Sequence, residues 1–89
     1  MPTVIIPPPY QGPTRGLARV EVEGSTLAAC LEALEKRFPG FRPQVVSEAG
    51  KVHRFVKLFV NGDLVAGSDL GHALSERDEI EILAAVAGG

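Results

Sequence analysis

An 89-residue chain makes one domain, and burying roughly 60–65% of its unfolded surface supports one sheet and one helix but hardly an enclosed catalytic cleft as well. A net charge of −2 argues against a general nucleic-acid binder, which carries a basic stripe. A single cysteine excludes an internal disulfide, and no apolar run approaches the roughly 20 residues that a membrane span needs.

In chain order, residues 3–6 are short, β-branched and stopped by Pro7-Pro8-Pro9, the signature of a first strand followed by a stiff loop. Pro7-Pro8-Pro9-Tyr10 also matches a pattern that proline-reading domains dock in polyproline form, but a connection between two strands is the favoured reading. Residues 17–23 alternate Ala18, Val20 and Val22 with Arg19, Glu21 and Glu23, a half-buried second strand. The first two strands therefore read as a hairpin.

A helix follows, capped by Ser25 or Thr26. Leu27, Cys30, Leu31, Leu34 and Phe38 form one apolar stripe, and Pro39-Gly40 stops it. Cys30 within that stripe reads as a buried, inert thiol. Residues 41–52 show no regular period; Phe41, Val45 and Val46 are expected to cover the end of the core. Residues 55–60 form the clearest strand, and Asn61-Gly62 is the favoured pair for a type I′ hairpin turn leading to a short return strand at Leu64-Val65. Leu70, Ala73 and Leu74 suggest one helical turn, capped by Ser68 or Asp69. Residues 75–78 turn the chain into the last strand, where Ile80 and Ile82 alternate with Glu79 and Glu81.

The resulting order is β-β-α-β-β-(short helix)-β, an α+β chain whose mixed sheet of four to five strands is covered by one main helix. This is the layout of the β-grasp, or ubiquitin-like, fold. Residues 1–83 make the body and residues 84–89 a tail.

Chemistry is sparse inside the chain. His53 and His72 belong to no metal spacing, and one cysteine cannot assemble a common zinc set. No phosphate-cradling glycine loop or nucleophile elbow appears. The tail is the exception. Residues 84–87 carry no charge or hydrogen-bonding side chain, and Gly88-Gly89 packs nothing and is costly to order. Such an end is expected to be loose and able to thread a narrow slot, bringing the Gly89 carboxylate to another protein's active site; a frayed terminus is the plainer alternative.

On the 55–60 strand, Val56, Leu58 and Val60 are expected to face the helix, which turns Phe55, Lys57 and Phe59 to the open side. Leu83 shares the parity of Glu79 and Glu81 and would join them. Phe55 and Phe59 are either a docking patch or packed under residues 41–52. Lys57 is expected to pair with Glu79 or Glu81. The basic run Lys51-Val52-His53-Arg54 either steers an acidic partner or is a solvated face.

Lys51-Val52-His53-Arg54-Phe55-Val56, Phe59-Val60-Asn61, Asp78-Glu79-Ile80-Glu81-Ile82-Leu83 and Ala85-Val86-Ala87-Gly88-Gly89 together resemble the small ubiquitin-like sulfur carriers. That family includes the molybdopterin synthase small subunit and the thiamine sulfur carrier. The Gly50-to-Val56 run and the tail look closest to the carrier type used in cysteine biosynthesis. Arg77 departs from the pattern, since many relatives have glycine there. If that position needs positive φ, arginine is a poor choice.

The resemblance implies a protein co-substrate, not an enzyme. An ATP-dependent activating enzyme would adenylate Gly89, with Gly88 allowing the tail to thread. A rhodanese-type or cysteine desulfurase donor would supply sulfur. A cysteine synthase-type acceptor or a molybdopterin synthase large subunit would receive it. Phe55, Phe59, Leu83, Val86 and Ala87 would contact these partners. No cofactor, metal, nucleic acid or membrane is implied, ATP being used by the activating partner, and the cytoplasm is the expected location. Two other functions remain open: a modifier whose Gly89 forms isopeptide bonds, and a non-covalent adaptor that binds through Phe55 and Phe59.

Overall fold

The computed structural model describes residues 1–65 and 69–84. Five strands form one sheet: β1 (Thr3–Ile5), β2 (Arg19–Glu21), β3 (Val56–Val60), β4 (Asp63–Val65) and β5 (Glu79–Ala84). Their order is β2-β1-β5-β3-β4. β1 and β5 run parallel, with Val4 opposite Ile80, and every other neighbouring pair is antiparallel. First and last strands thus lie side by side in the middle of the sheet, as the β-grasp layout requires. The pairing of β1 with β2 continues beyond the strand ends through Ile6 N–H to the Ala18 carbonyl at 2.8 Å and Val22 N–H to the Pro2 carbonyl at 3.0 Å.

Helix α1 (Leu27–Arg37) covers one face. Leu27, Cys30, Leu31 and Leu34 are buried on it, against Val4 and Ile6, Val20 and Val22, Val56, Leu58 and Val60, and Ile80 and Ile82 from the sheet. Each fully buried side chain of this size contributes about 1.5–3 kcal/mol. The sheet alternation follows from this: in β3 the even positions are buried, and in β5 Ile80 and Ile82 are 1% and 0% exposed.

The helix start shows how local sequence is coupled to a distant loop. Thr26 is the cap, its Oγ1 accepting the Ala29 N–H at 3.1 Å. The two remaining first-turn donors are satisfied from residues 70–72: Leu27 N–H reaches the His72 carbonyl at 3.2 Å and Ala28 N–H the Leu70 carbonyl at 2.8 Å. This corrects the expected helical turn at residues 70–74. The segment is a turn followed by a bridge between Ala73 and Thr26, because its carbonyls cap another helix instead of building their own. Ser68, one of the two caps expected for that turn, lies outside the described residues.

A second correction falls in residues 41–52. Arg42–Val45 is a short helix, α2, with proline in its first turn. Phe41, Val45 and Val46 are buried as expected. The Glu35 carboxylate accepts from Gly40 N–H at 2.9 Å and Arg42 N–H at 2.8 Å, tying the end of α1 to the start of α2. Those two bonds to its charged form hold the Glu35 carboxyl below the usual range.

The proline segment makes a 3₁₀ turn over Pro8–Tyr10, and Tyr10 packs against the core; it is a connection, not an extended docking motif. Asn61 and Gly62 both hold positive φ, 51° and 88°, in the two-residue turn that sets Val60 opposite Asp63, as a type I′ hairpin demands. Arg77 has no positive φ, so arginine causes no backbone strain there.

Candidate functional site

The site is built around β5. Ile80 and Glu81 are paired on both sides, by β1 and by β3, and Glu79 by β1 and by the turn residue Asn61. From Ile82 onward only β3 pairs, and the last described residue, Ala84, stands opposite Val56. Gly88, Gly89, Val86 and Ala87, the tail residues singled out from sequence, lie outside the described residues. The described chain therefore ends at Ala84 on the central strand of a packed sheet, the base of the region expected from sequence to form the tail.

Around that base lies the sheet face away from α1. Phe59 is flanked by Leu64 on β4 and Glu81 on β5, and Lys57 stands opposite Leu83. Phe55, just before β3, is 48% exposed, Leu83 39% and Leu64 61%. Phe59 is half-buried in this row, and neither it nor Phe55 belongs to the set packed on the core. They do not lie under residues 41–52; Phe41, Val45 and Val46 fill that space. Leu64 was missed by sequence reasoning. Its signal was available, since a two-residue turn at Asn61-Gly62 fixes Leu64 opposite Phe59 and hence on the same face.

The expected partner of Lys57 is corrected. Glu79 pairs with Arg19 at 3.2 Å, Glu81 faces Phe59, and Lys57 has the apolar Leu83 across from it. Parity alone named the face correctly, but register decides which residues meet. Arg54 rests its guanidinium 5.7 Å from the centroid of the Phe55 ring.

Other reactive groups are spoken for. Burial raises the pKa of the Cys30 thiol, which keeps it protonated and a poor nucleophile; its Sγ lies 3.8 Å from the Gly24 carbonyl. His53 Nε2 lies 2.8 Å from the Pro43 carbonyl oxygen and His72 Nδ1 3.3 Å from Asp69 Oδ2. Among the described residues no group of three or more metal-ligating side chains comes together, and no helix there is long and apolar enough to cross a membrane.

A family model described as the ThiS family matches residues 10–89. This chain belongs to the ThiS family. The sulfur carrier protein CysO of Mycobacterium tuberculosis is 39% identical to it over 90 residues, covering 98% of this chain and 97% of that protein. Among solved structures, a chain of the Amycolatopsis orientalis BexX/CysO complex superposes with a TM-score of 0.91 at 36% identity, over 100% of both chains. Mycobacterium tuberculosis CysO superposes with a TM-score of 0.89 at 35% identity, over 97% of this chain and 100% of that one. These likenesses bear out the resemblance to the ubiquitin-like sulfur carriers and the β-grasp fold of this ThiS-family member.

Proposed function

We propose that this protein is a sulfur carrier of the cysteine-biosynthesis type, with molybdopterin synthesis the next candidate pathway. The observation that carries the reading is the near-full-length identity to a sulfur carrier, and the geometry supports it. Residues 84–89 act as the working tail of a rigid body, and Gly89 is the reacting residue. An activating enzyme lets the Gly89 carboxylate attack the α-phosphorus of ATP, expelling pyrophosphate. A persulfide sulfur of the donor then displaces AMP from the acyl carbon. A donor-side thiol cleaves the S–S bond, leaving the thiocarboxylate on Gly89 and a disulfide on the donor.

The carrier supplies no catalytic group in this scheme, only the carboxylate and the surface that positions it. Absence of β-carbons at Gly88 and Gly89 lets the tip enter a narrow slot. Phe55, Phe59 and Leu83, with Val86 and Ala87, contact the partner. The donor is rhodanese-like or a cysteine desulfurase, and the acceptor is a synthase, all acting in the cytoplasm.

Intact-mass measurement tests this. With ATP, an activating enzyme and a sulfur donor, the chain gains the mass of one sulfur exchanged for one oxygen. Gly89→Val, or deletion of Gly88-Gly89, keeps the fold and abolishes the gain. Normal sulfur loading of either variant rejects the reading, and adducts on other proteins in place of the gain would indicate a modifier.

A further inference from the structure

Residues 51–57 carry Lys51, His53, Arg54 and Lys57 and no carboxylate, in a protein of net charge −2. Lys51, Arg54 and Lys57 are exposed. The ion pairs among the described residues are Arg19–Glu79 and His72–Asp69, so these three cations are unpaired there.

The segment that carries them is held in place. Ser47 N–H donates to the Lys51 carbonyl at 2.8 Å and His53 N–H to the Val45 carbonyl at 2.9 Å. Val46 bridges Val52, and the His53 ring is fastened to the Pro43 carbonyl at 2.8 Å. The Phe55 ring backs the Arg54 guanidinium, and Lys57 is part of β3. Between this segment and β4 is a shallow hollow of about 190 Å³, lined by His53, Arg54, Lys57 and Leu64 among others. Lys57 stands opposite Leu83, beside the last described residues of β5, and Arg54 shares the hollow with it.

We propose that Lys51, Arg54 and Lys57 form an electrostatic docking strip for a carboxylate-rich surface on the enzyme that adenylates the C-terminus. The inference rests on the carrier reading above and names the chemistry of that partner. Charge complementarity selects the occupant. Three cations on a net-negative chain neutralise too few phosphates to hold a nucleic acid. An acidic enzyme surface is repelled by the chain as a whole and attracted at this strip, so approach is oriented with the tail leading. Fixed cations beside apolar Leu64, Phe59 and Leu83 suit a protein rim, where charge governs association rate more than final affinity.

The test is stopped-flow association of the full chain with its adenylating enzyme, without ATP, at about 20 mM and about 500 mM salt, where screening differs severalfold in range. Lys57→Glu and Arg54→Glu are compared with Lys36→Glu, which changes net charge equally on the exposed side of α1. The two strip variants are expected to slow association about tenfold at low salt and to approach wild type at high salt, since steering of this kind is salt-sensitive. Lys36→Glu is expected to change it less than about twofold. Equal effects of all three, no effect of the strip variants, or no measurable association of the wild type overturns the proposal. If steering is seen but ATP and sulfur donor then give no thiocarboxylate, the docking strip stands and the carrier reading falls. If thiocarboxylate forms while the strip variants associate at wild-type rate, the reverse holds.

Discussion

Asn61 donates from Nδ2 to Oδ1 of Asp78 at 2.9 Å, while its own Oδ1 accepts the Glu79 N–H at 3.0 Å. With Asn61 N–H bonded to the Glu79 carbonyl at 2.8 Å, one turn residue pins the β3–β4 hairpin to the start of β5. β5 is thereby fixed in register at its first residue.

This arrangement separates two contributions at position 61. The φ of 51° favours Asn or Gly, and the side chain adds two hydrogen bonds. Asn61→Gly keeps the conformation and loses the bonds, costing about 1 kcal/mol; Asn61→Ala also strains the backbone, costing about 2 kcal/mol. Urea unfolding should therefore rank wild type above Gly and Gly above Ala. A glycine variant as stable as wild type would show that the side-chain bonds contribute nothing.

Asp78 and Glu35 are expected to contribute to the acid limb of stability. Asp78 accepts from Ser75 N–H at 2.8 Å, from Ser75 Oγ and from Asn61, and these bonds lower its pKa. Glu35 is lowered by its bonds from Gly40 and Arg42. A depressed folded pKa stabilises the fold above the unfolded value and ceases to do so as pH falls through the folded value. The loss therefore sets in below the ordinary values of 4.5 for Glu35 and 3.8 for Asp78 and is complete below their lowered ones. Glu35→Gln, with one oxygen to serve two donors, should be less stable than wild type at neutral pH and show a shallower fall in acid. Identical acid profiles from urea midpoints would refute the assignment.

Gly24 is required by a close approach. A β-carbon there would lie 2.7 Å from Cys30 Sγ, 2.8 Å from Cys30 N and 3.1 Å from the Ala29 carbonyl carbon. Gly24→Ala must push the incoming chain off the start of α1, a cost of about 1–3 kcal/mol. Adding Cys30→Ala removes the sulfur contact but not the backbone ones, so the double mutant should recover only part of the loss after allowance for Cys30→Ala alone. Full recovery in thermal melts would mean that the helix backbone is free to shift.

Sequence pattern made the body of the fold legible wherever one period ran long enough. The α1 stripe, the alternation at Ile80 and Ile82, and the Asn61-Gly62 turn each specify one structure. Residues 42–45 span too few positions for a helical period, although Pro43 in a first turn is itself a start signal. Leu70, Ala73 and Leu74 kept helical spacing for another reason: their backbone is drawn onto the α1 N-terminus, with Leu74 N–H bonded to the Ser25 carbonyl at 2.8 Å. The open face was legible from parity, but the opposition of Lys57 to Leu83 depends on register between distant strands, which no local pattern encodes.

Two phenylalanines separate stability from recognition. Phe41 is 0% exposed at the start of α2, so Phe41→Ala leaves a core cavity and costs about 3–5 kcal/mol, a large part of the 5–15 kcal/mol that stabilises a typical domain. Phe59 lies on the open face between Leu64 and Glu81, where truncation removes cross-strand contacts worth about 1 kcal/mol or less each. Phe59→Ala should stay folded and raise KM for thiocarboxylate formation by about tenfold, the loss of roughly 1.4 kcal/mol of partner contact. Phe41→Ala, assayed at a temperature where it remains folded, should leave that KM within about twofold. If Phe59→Ala loads sulfur with wild-type KM, the open face is not the surface that the activating enzyme reads, and tail sequence alone must account for recognition.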